Sequence, residues 1–257
     1  MEHGIEIAQQ GISLLGISRE LGNGSDTGKP FIDGRGLADV ITVKARNVTI
    51  TGFHIENIGH HVAWEIIVIS WGADGCVISD NNLSYTLWSI INCASNFSRI
   101  INNTINNSFA AYGILLGPYS YNTVSGNVIE NCPVGICVWD GTFNTIIRNR
   151  IIYCREFGID ILGASYNTFK FNIIEDNLKG LYLLEGVGNR VEKNNFVNNT
   201  LQASFYKGFG FTGNRWIQNY WGRPQLLPYS IQGSIFYYFI PWVQFDWRPA
   251  LRPYDIL

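Results

Sequence analysis

The 257-residue sequence predicts an all-β chain wound into a right-handed parallel β-helix, a solenoid of about eight coils. Residues 1–220 make up the coil region, with the coils themselves over roughly residues 5–220, and residues 221–257 form a Pro- and aromatic-rich cap. Three observations carry this prediction. An asparagine column steps along the chain about every 22 residues. Glycine and small polar columns share its period. Between the columns apolar residues alternate over short stretches, as in Ile136-Cys137-Val138, and that is strand periodicity.

The columns come first. Residues 122–129 (NTVSGNVI), 144–151 (NTIIRNRI), 167–174 (NTFKFNII) and 189–196 (NRVEKNNF) align directly. Their inner asparagine continues in both directions as Asn81, Asn103, Asn127, Asn149, Asn172, Asn194 and Asn214, in steps of 22, 24, 22, 23, 22 and 20. A glycine lies 14 residues before the next such asparagine at Gly113, Gly135, Gly158 and Gly180. Five residues after it lie Thr86, Ser108, Cys132, Cys154, Asn177, Asn199 and Asn219. Asparagine tolerates a left-handed corner, and its amide carries both donor and acceptor. Stacked coil on coil, Asn81 through Asn194 would form a ladder that satisfies polar groups at a buried turn. Leucine-rich spacing is absent, and a hexapeptide coil would repeat at about 18 residues. Three short strands per turn, paired at about 4.8 Å from coil to coil, fit the period.

Composition agrees. The chain holds 26 asparagines and 27 glycines, with 46% apolar and only 15% charged residues, so it can bury a large core. A net charge of −2 offers no basic surface to neutralise phosphates, so nucleic acid is not an expected partner. No apolar run reaches the ~18 residues of a membrane span. An open coil end exposes strand edges. Trp221, Phe236, Tyr237, Tyr238, Phe239, Trp242 and Trp247 in the last segment suit a cap folded over the final coil.

Outward positions of the glycine-bearing strand follow from the repeat. Two after the glycine column come Ile69, Ile91, Leu115, Cys137, Asp160 and Tyr182. Four after it come Trp71, Cys93, Gly117, Trp139, Leu162 and Leu184. Five after it come Asp140 and Glu185, with Gly163 between them. Trp71, Trp139 and Tyr182 on a flat sheet suit stacking against sugar rings, which makes them candidate substrate-binding residues. Asp140, Asp160 and Glu185 are the candidate catalytic carboxylates, since glycoside hydrolysis needs two carboxyl groups across the bond. A loop, the cap or a partner covering this apolar face is the competing reading.

The five cysteines have no metal spacing, and Cys132 and Cys154 share one column as small corner residues. Cys76, Cys93 and Cys137 read as further repeat positions. His54, His60 and His61 cluster near Glu56 and Glu65, a donor set a first-row metal could use. They do not share a column, so no metal and no cofactor are expected.

The repeat resembles the right-handed parallel β-helix proteins of the pectin-lyase-like superfamily, especially the NosD-like group. Residues 12–16 (ISLLG), 31–36 (FIDGRG) and 48–55 (VTITGFHI) carry it at the N-terminal side, and the tail beginning Asn219-Tyr220-Trp221-Gly222 resembles the closing segment of archaeal members. The resemblance implies an extracellular, cell-surface or periplasmic location. It also implies a secretion signal and an extra coil ahead of Met1, so a late start of this chain is expected. The NosD name suggests copper, whereas this sequence has one Met and no His–Met constellation. The Asp-pair, Arg-x-Lys and Asp-Pro-His signatures of related polysaccharide enzymes are missing. The expectation is a carbohydrate-associated protein that binds polysaccharide along an aromatic face. A polysaccharide lyase or hydrolase and a structural scaffold are the alternatives.

Overall fold

The computed structural model describes residues 4–17, 28–36, 39–57, 64–210, 213–236 and 238–256. The chain is a right-handed parallel β-helix with no helix among the described residues. Short strands stack into three ladders. The first runs Ile5–Ile7, Ile41–Val43, Ile67–Ile69, Ile91–Cys93, Tyr112–Leu116, Val134–Trp139, Phe157–Leu162, Lys179–Leu184 and Leu201–Lys207. The second runs from Ser13–Leu15 to Arg215–Ile217, and the third from Phe31–Asp33 to Asn195–Val197. The third ladder has 8 strands, one for each complete turn.

Register explains the core. Ile41, Ile67, Ile91, Ile114, Ile136 and Ile159 pair in one inward file, and Ile55, Leu83, Ile105, Ile129, Ile151 and Ile174 in another, all fully buried. Like residues stack on like because each rung repeats its predecessor's environment. Toward the C-terminal end the files turn aromatic, through Phe169, Phe196, Phe205, Trp216 and Trp221.

At the corner between the second and third ladders, each inner asparagine leans on the next. Asn103 donates its backbone N–H and its amide to Asn127 Oδ1 at 2.9 and 3.0 Å, and Asn127 donates likewise to Asn149 Oδ1. The file Asn81, Asn103, Asn127, Asn149, Asn172, Asn194 is continuous. The ladder asparagines do not occupy the left-handed region, contrary to the corner geometry expected for them. The residue before each does: Asp80, Asn102, Gly126, Arg148, Phe171, Lys193 and Gln218 have φ between 52° and 66°. That left-handed residue turns the backbone, so the following asparagine points inward. Asn214 is displaced as well. It accepts from Asn189 in the outer file, while Asn219, 25 residues beyond Asn194, takes the inner place. That coil is longer than the five between Asn81 and Asn194, which take 22 to 24 residues each.

Gly113, Gly135, Gly158 and Gly180 serve close approach. A Cβ on Gly135 would lie 2.4 Å from Ile151 Cγ2 and 2.6 Å from the Gly158 carbonyl oxygen. Beyond residue 220 the hairpin of Tyr229–Ile235 and Ile240–Asp246 continues the hydrogen bonding. Its first strand pairs parallel with Leu201–Lys207, and its second runs antiparallel to the first. Asp246 ends the asparagine file, accepting from Gln218 N, Asn219 N and Nδ2, and Trp221 Nε1 at 2.7–3.2 Å. Trp221 is sandwiched between Phe196 at 4.6 Å and Tyr229 at 4.2 Å. Tyr237 lies outside the described residues.

Candidate functional site: the aromatic face of the first ladder

The outward side of the first ladder carries the sequence-derived candidates, with a corrected register. Asn92 pairs with Leu115, then Cys137, Asp160 and Tyr182 follow in one file. Ile69, Ile91 and Cys93, expected outward, belong to inward files and are fully buried. The connecting turns of those coils differ by one residue in length, and a one-residue slip exchanges the two faces of a strand. Gly117, Trp139, Leu162, Leu184 and Tyr206 mark the next outward file; Trp71 lies one position past it on a turn. Trp71 is 80% exposed and Trp139 53% exposed. Three rungs separate them, about 14 Å at the inter-strand spacing.

Asp160 is the chemically distinctive residue. Its carboxyl is buried, and its Oδ1 is the one buried side-chain oxygen or nitrogen without a hydrogen-bond partner among the described residues. Cys137 and Tyr182 flank it along the file; Phe157 and Leu162 are its outward neighbours on the strand. Burial, reinforced by the Glu156 charge, raises its proton affinity to a pKa of about 7, while Lys179 and the Ile161 backbone pull the other way. Tyr182 stacks on Phe157 at 5.3 Å, and Lys179 Nζ lies 5.1 Å and 5.3 Å from those two rings. Burial and a hydrogen bond with Tyr238 hold the Tyr182 hydroxyl well above the usual phenol range. Tyr182 therefore forms a wall of the site, and Trp139 offers the open ring.

The other two carboxylates are engaged elsewhere. Asp140 and Glu185 sit at left-handed turns, φ 53° and 63°, two rungs apart. Each reaches over a glycine of the next coil. The Asp140 carboxyl fills the space a Gly163 side chain would need, and Glu185 Oε1 accepts from Gly208 N at 2.7 Å. Lys207 closes on Glu185 Oε2 at 3.2 Å. The three acids therefore do not converge on one point.

Sequence reasoning missed a second aromatic feature. Phe97, Tyr121, Phe143 and Tyr166 stack on successive coils at 5.3–5.7 Å, nearly parallel at 5–14°. The signal was present, because each precedes Ser98 or an outer-column asparagine. Their inner faces cover one another and their edges meet solvent, so the stack is a brace for the turns.

A family model described as "Periplasmic copper-binding protein (NosD)" matches residues 34–236. Curated proteins give no match. Among solved structures, XylC in complex with xylose superimposes with a TM-score of 0.59 at 14% identity, covering 82% of this chain and 42% of its own. The periplasmic alginate epimerase AlgG gives 0.57 at 14%, covering 91% and 61%. The catalytic domain of an alpha-1,3-glucanase in complex with tetrasaccharides gives 0.60 at 11%, covering 90% and 49%. At such identities the likeness shows the fold, and the chain spans less than two thirds of each of these structures.

The described residues do not fit a copper centre. No group of three or more His, Cys, Asp or Glu side chains among them converges on a point. His54 Nε2 lies 3.0 Å from Glu56 Oε1. The five thiols are buried, and desolvation pushes Cys93 up to about 11 and Cys132 to about 12, opposing the thiolate that soft metals need. His60 and His61 lie outside the described residues.

Proposed function

The chain belongs to the NosD family, and from that premise and the geometry of its first ladder we propose that it binds a neutral, hydroxyl-rich polysaccharide along the aromatic face around Asp160. The observation that carries the reading is the unpartnered, buried Asp160 Oδ1 in an apolar and aromatic surround. Buried polar atoms are satisfied in folded proteins, so an orphan beside exposed rings fits a ligand hydroxyl. Trp139 supplies an open face for the C–H side of a sugar ring, and Trp71 extends the track toward the N-terminal rungs. Structures that share its fold hold xylose and tetrasaccharides, which supports this reading.

Binding without turnover is the favoured form. Glu185 is held by the Gly208 N–H and by Lys207, and Asp140 lies over Gly163 of the next coil, so the three candidates form no pair across a glycosidic bond; the carboxylate whose charge acts on Asp160 is Glu156, at the foot of its own strand. One observation favours an enzyme instead: a carboxylic acid with pKa near 7 has the property of a general acid. A screen of neutral and uronate polysaccharides by affinity electrophoresis, with reducing ends assayed in parallel, separates the two. Expected is retardation by a neutral polymer without product release, weakened about tenfold by Trp139→Ala. Unchanged affinity in that variant removes this face. Turnover lost in Asp160→Asn establishes the enzyme.

A further inference from the structure

The second ladder carries a surface that the chain's overall charge conceals. Its outward files place Arg190 beside Arg215 and Lys170 beside Glu192, with Arg148, Phe171 and Lys193 at successive left-handed corners. Five cations and a single carboxylate thus share four rungs of a protein whose net charge is −2. The expectation that no basic surface exists is corrected: net charge reports a sum, and here the cations are gathered on one face.

Three of the cations on this face are gathered on one ring. Arg148 Cζ and Lys193 Nζ lie 5.8 Å and 5.9 Å from the Phe171 ring centre, on the rungs before and after it, and Lys170 Nζ lies 5.1 Å away. The ring gathers three like charges that would otherwise repel, holding them through its quadrupole. Glu192 shows how a carboxylate binds here. It accepts Lys170 at 3.0 Å and Arg190 at 2.7 Å, and those hydrogen bonds, acting against burial, hold it below the usual carboxylate range. Arg150, round the corner, is already paired with Glu175. Neither Arg148 nor Lys193 has a carboxylate within ion-pair distance among the described residues.

We propose that this face is a binding surface for an acidic polysaccharide, one bearing carboxylates at intervals near the rung spacing of about 4.8 Å. Charge complementarity and the arginine fork suit carboxylates in file. Phe171 is already met by three cations and, edge to face, by the Tyr254 ring at 5.9 Å, which disfavours stacking of the bases of a single-stranded nucleic acid. The surface is separate from the Asp160 face and does not rest on it.

The test uses polygalacturonate, dextran and a single-stranded oligonucleotide as probes, titrated into the full chain at low and at high salt. Polygalacturonate is expected to bind at low salt and to weaken at high salt. Arg148→Ala with Lys193→Ala is expected to raise its Kd about tenfold, while Trp139→Ala leaves it unchanged. Should the double variant melt early, Arg215→Glu reads the same surface from an exposed position and is expected to weaken binding likewise. No binding at low salt, indifference to all these cation variants, or tighter binding of the oligonucleotide overturns the proposal.

Discussion

Asn127 Oδ1 accepts two hydrogen bonds from one residue, the backbone N–H of Asn103 at 2.9 Å and its side-chain amide at 3.0 Å. The Asn127 amide in turn donates to Ile100 O and to Asn149 Oδ1, both at 2.9 Å. One side chain thus serves three successive coils, at a corner from which water is excluded. Replacing it by Ala orphans several of those groups at once. Asn127→Ala is expected to cost about 3 kcal/mol, read as a lowered denaturant midpoint. A loss below about 0.5 kcal/mol would remove the file from the sources of stability.

The glycine column makes a steric prediction. In Gly135→Ala the new methyl meets a backbone carbonyl that cannot rotate away. Overpacking of this kind costs about 1–3 kcal/mol, and the upper end is expected here. Gly72→Ala, where nothing lies within 4 Å, is the contrast. Its cost comes from a φ of 81° alone and is expected to be smaller.

Asp246 closes the rod. Its carboxylate accepts four donors from Gln218, Asn219 and Trp221, three of them buried, so Asp246→Ala leaves these unsatisfied at the exposed end of the ladders. A loss of about 3 kcal/mol is expected, together with concentration-dependent association measured by light scattering, because the hairpin that covers the strand edges is loosened. A variant that melts like the parent and stays monodisperse would contradict this.

Asp160 gives stability a pH dependence whose sign is fixed. Its ordinary value of 3.8 is raised to about 7 in the folded chain, so between those limits the folded state holds more protons than the unfolded one. The contribution is intact below pH 3.8 and lost as pH rises toward 7. Relative to the parent, Asp160→Asn should therefore gain stability from pH 4 to pH 8, by up to about 4 kcal/mol. A difference independent of pH would show that Asp160 titrates as an exposed acid.

Much of the fold was legible because its physics is periodic. Identical environments select identical residues, so the Asn103, Asn127, Asn149 and Asn172 positions declare themselves by spacing alone. Legibility failed where the period did. The long last coil displaced Asn214 from the inner file, and a one-residue change in turn length put Ile69, Ile91 and Cys93 on the wrong face. The site was legible only in outline. Asp160 could be placed on the aromatic face, but its lack of a partner depends on where neighbouring rings come to rest. The basic stripe was hidden for the opposite reason. Arg148, Phe171 and Lys193 stand in one column of the aligned repeats, yet a residue before an asparagine reads as a turn until cations of three coils converge on one ring.

Proton release on glycan binding tests the Asp160 face most directly. A sugar hydroxyl donated to Oδ1 favours the charged carboxylate and lowers its pKa, so binding near pH 7 expels a proton. Calorimetric titration of the neutral polymer in two buffers of different ionisation enthalpy counts it. Net release in the parent and none in Asp160→Asn is the expected result. Binding with no proton released, or with the same release in both proteins, would place the glycan elsewhere.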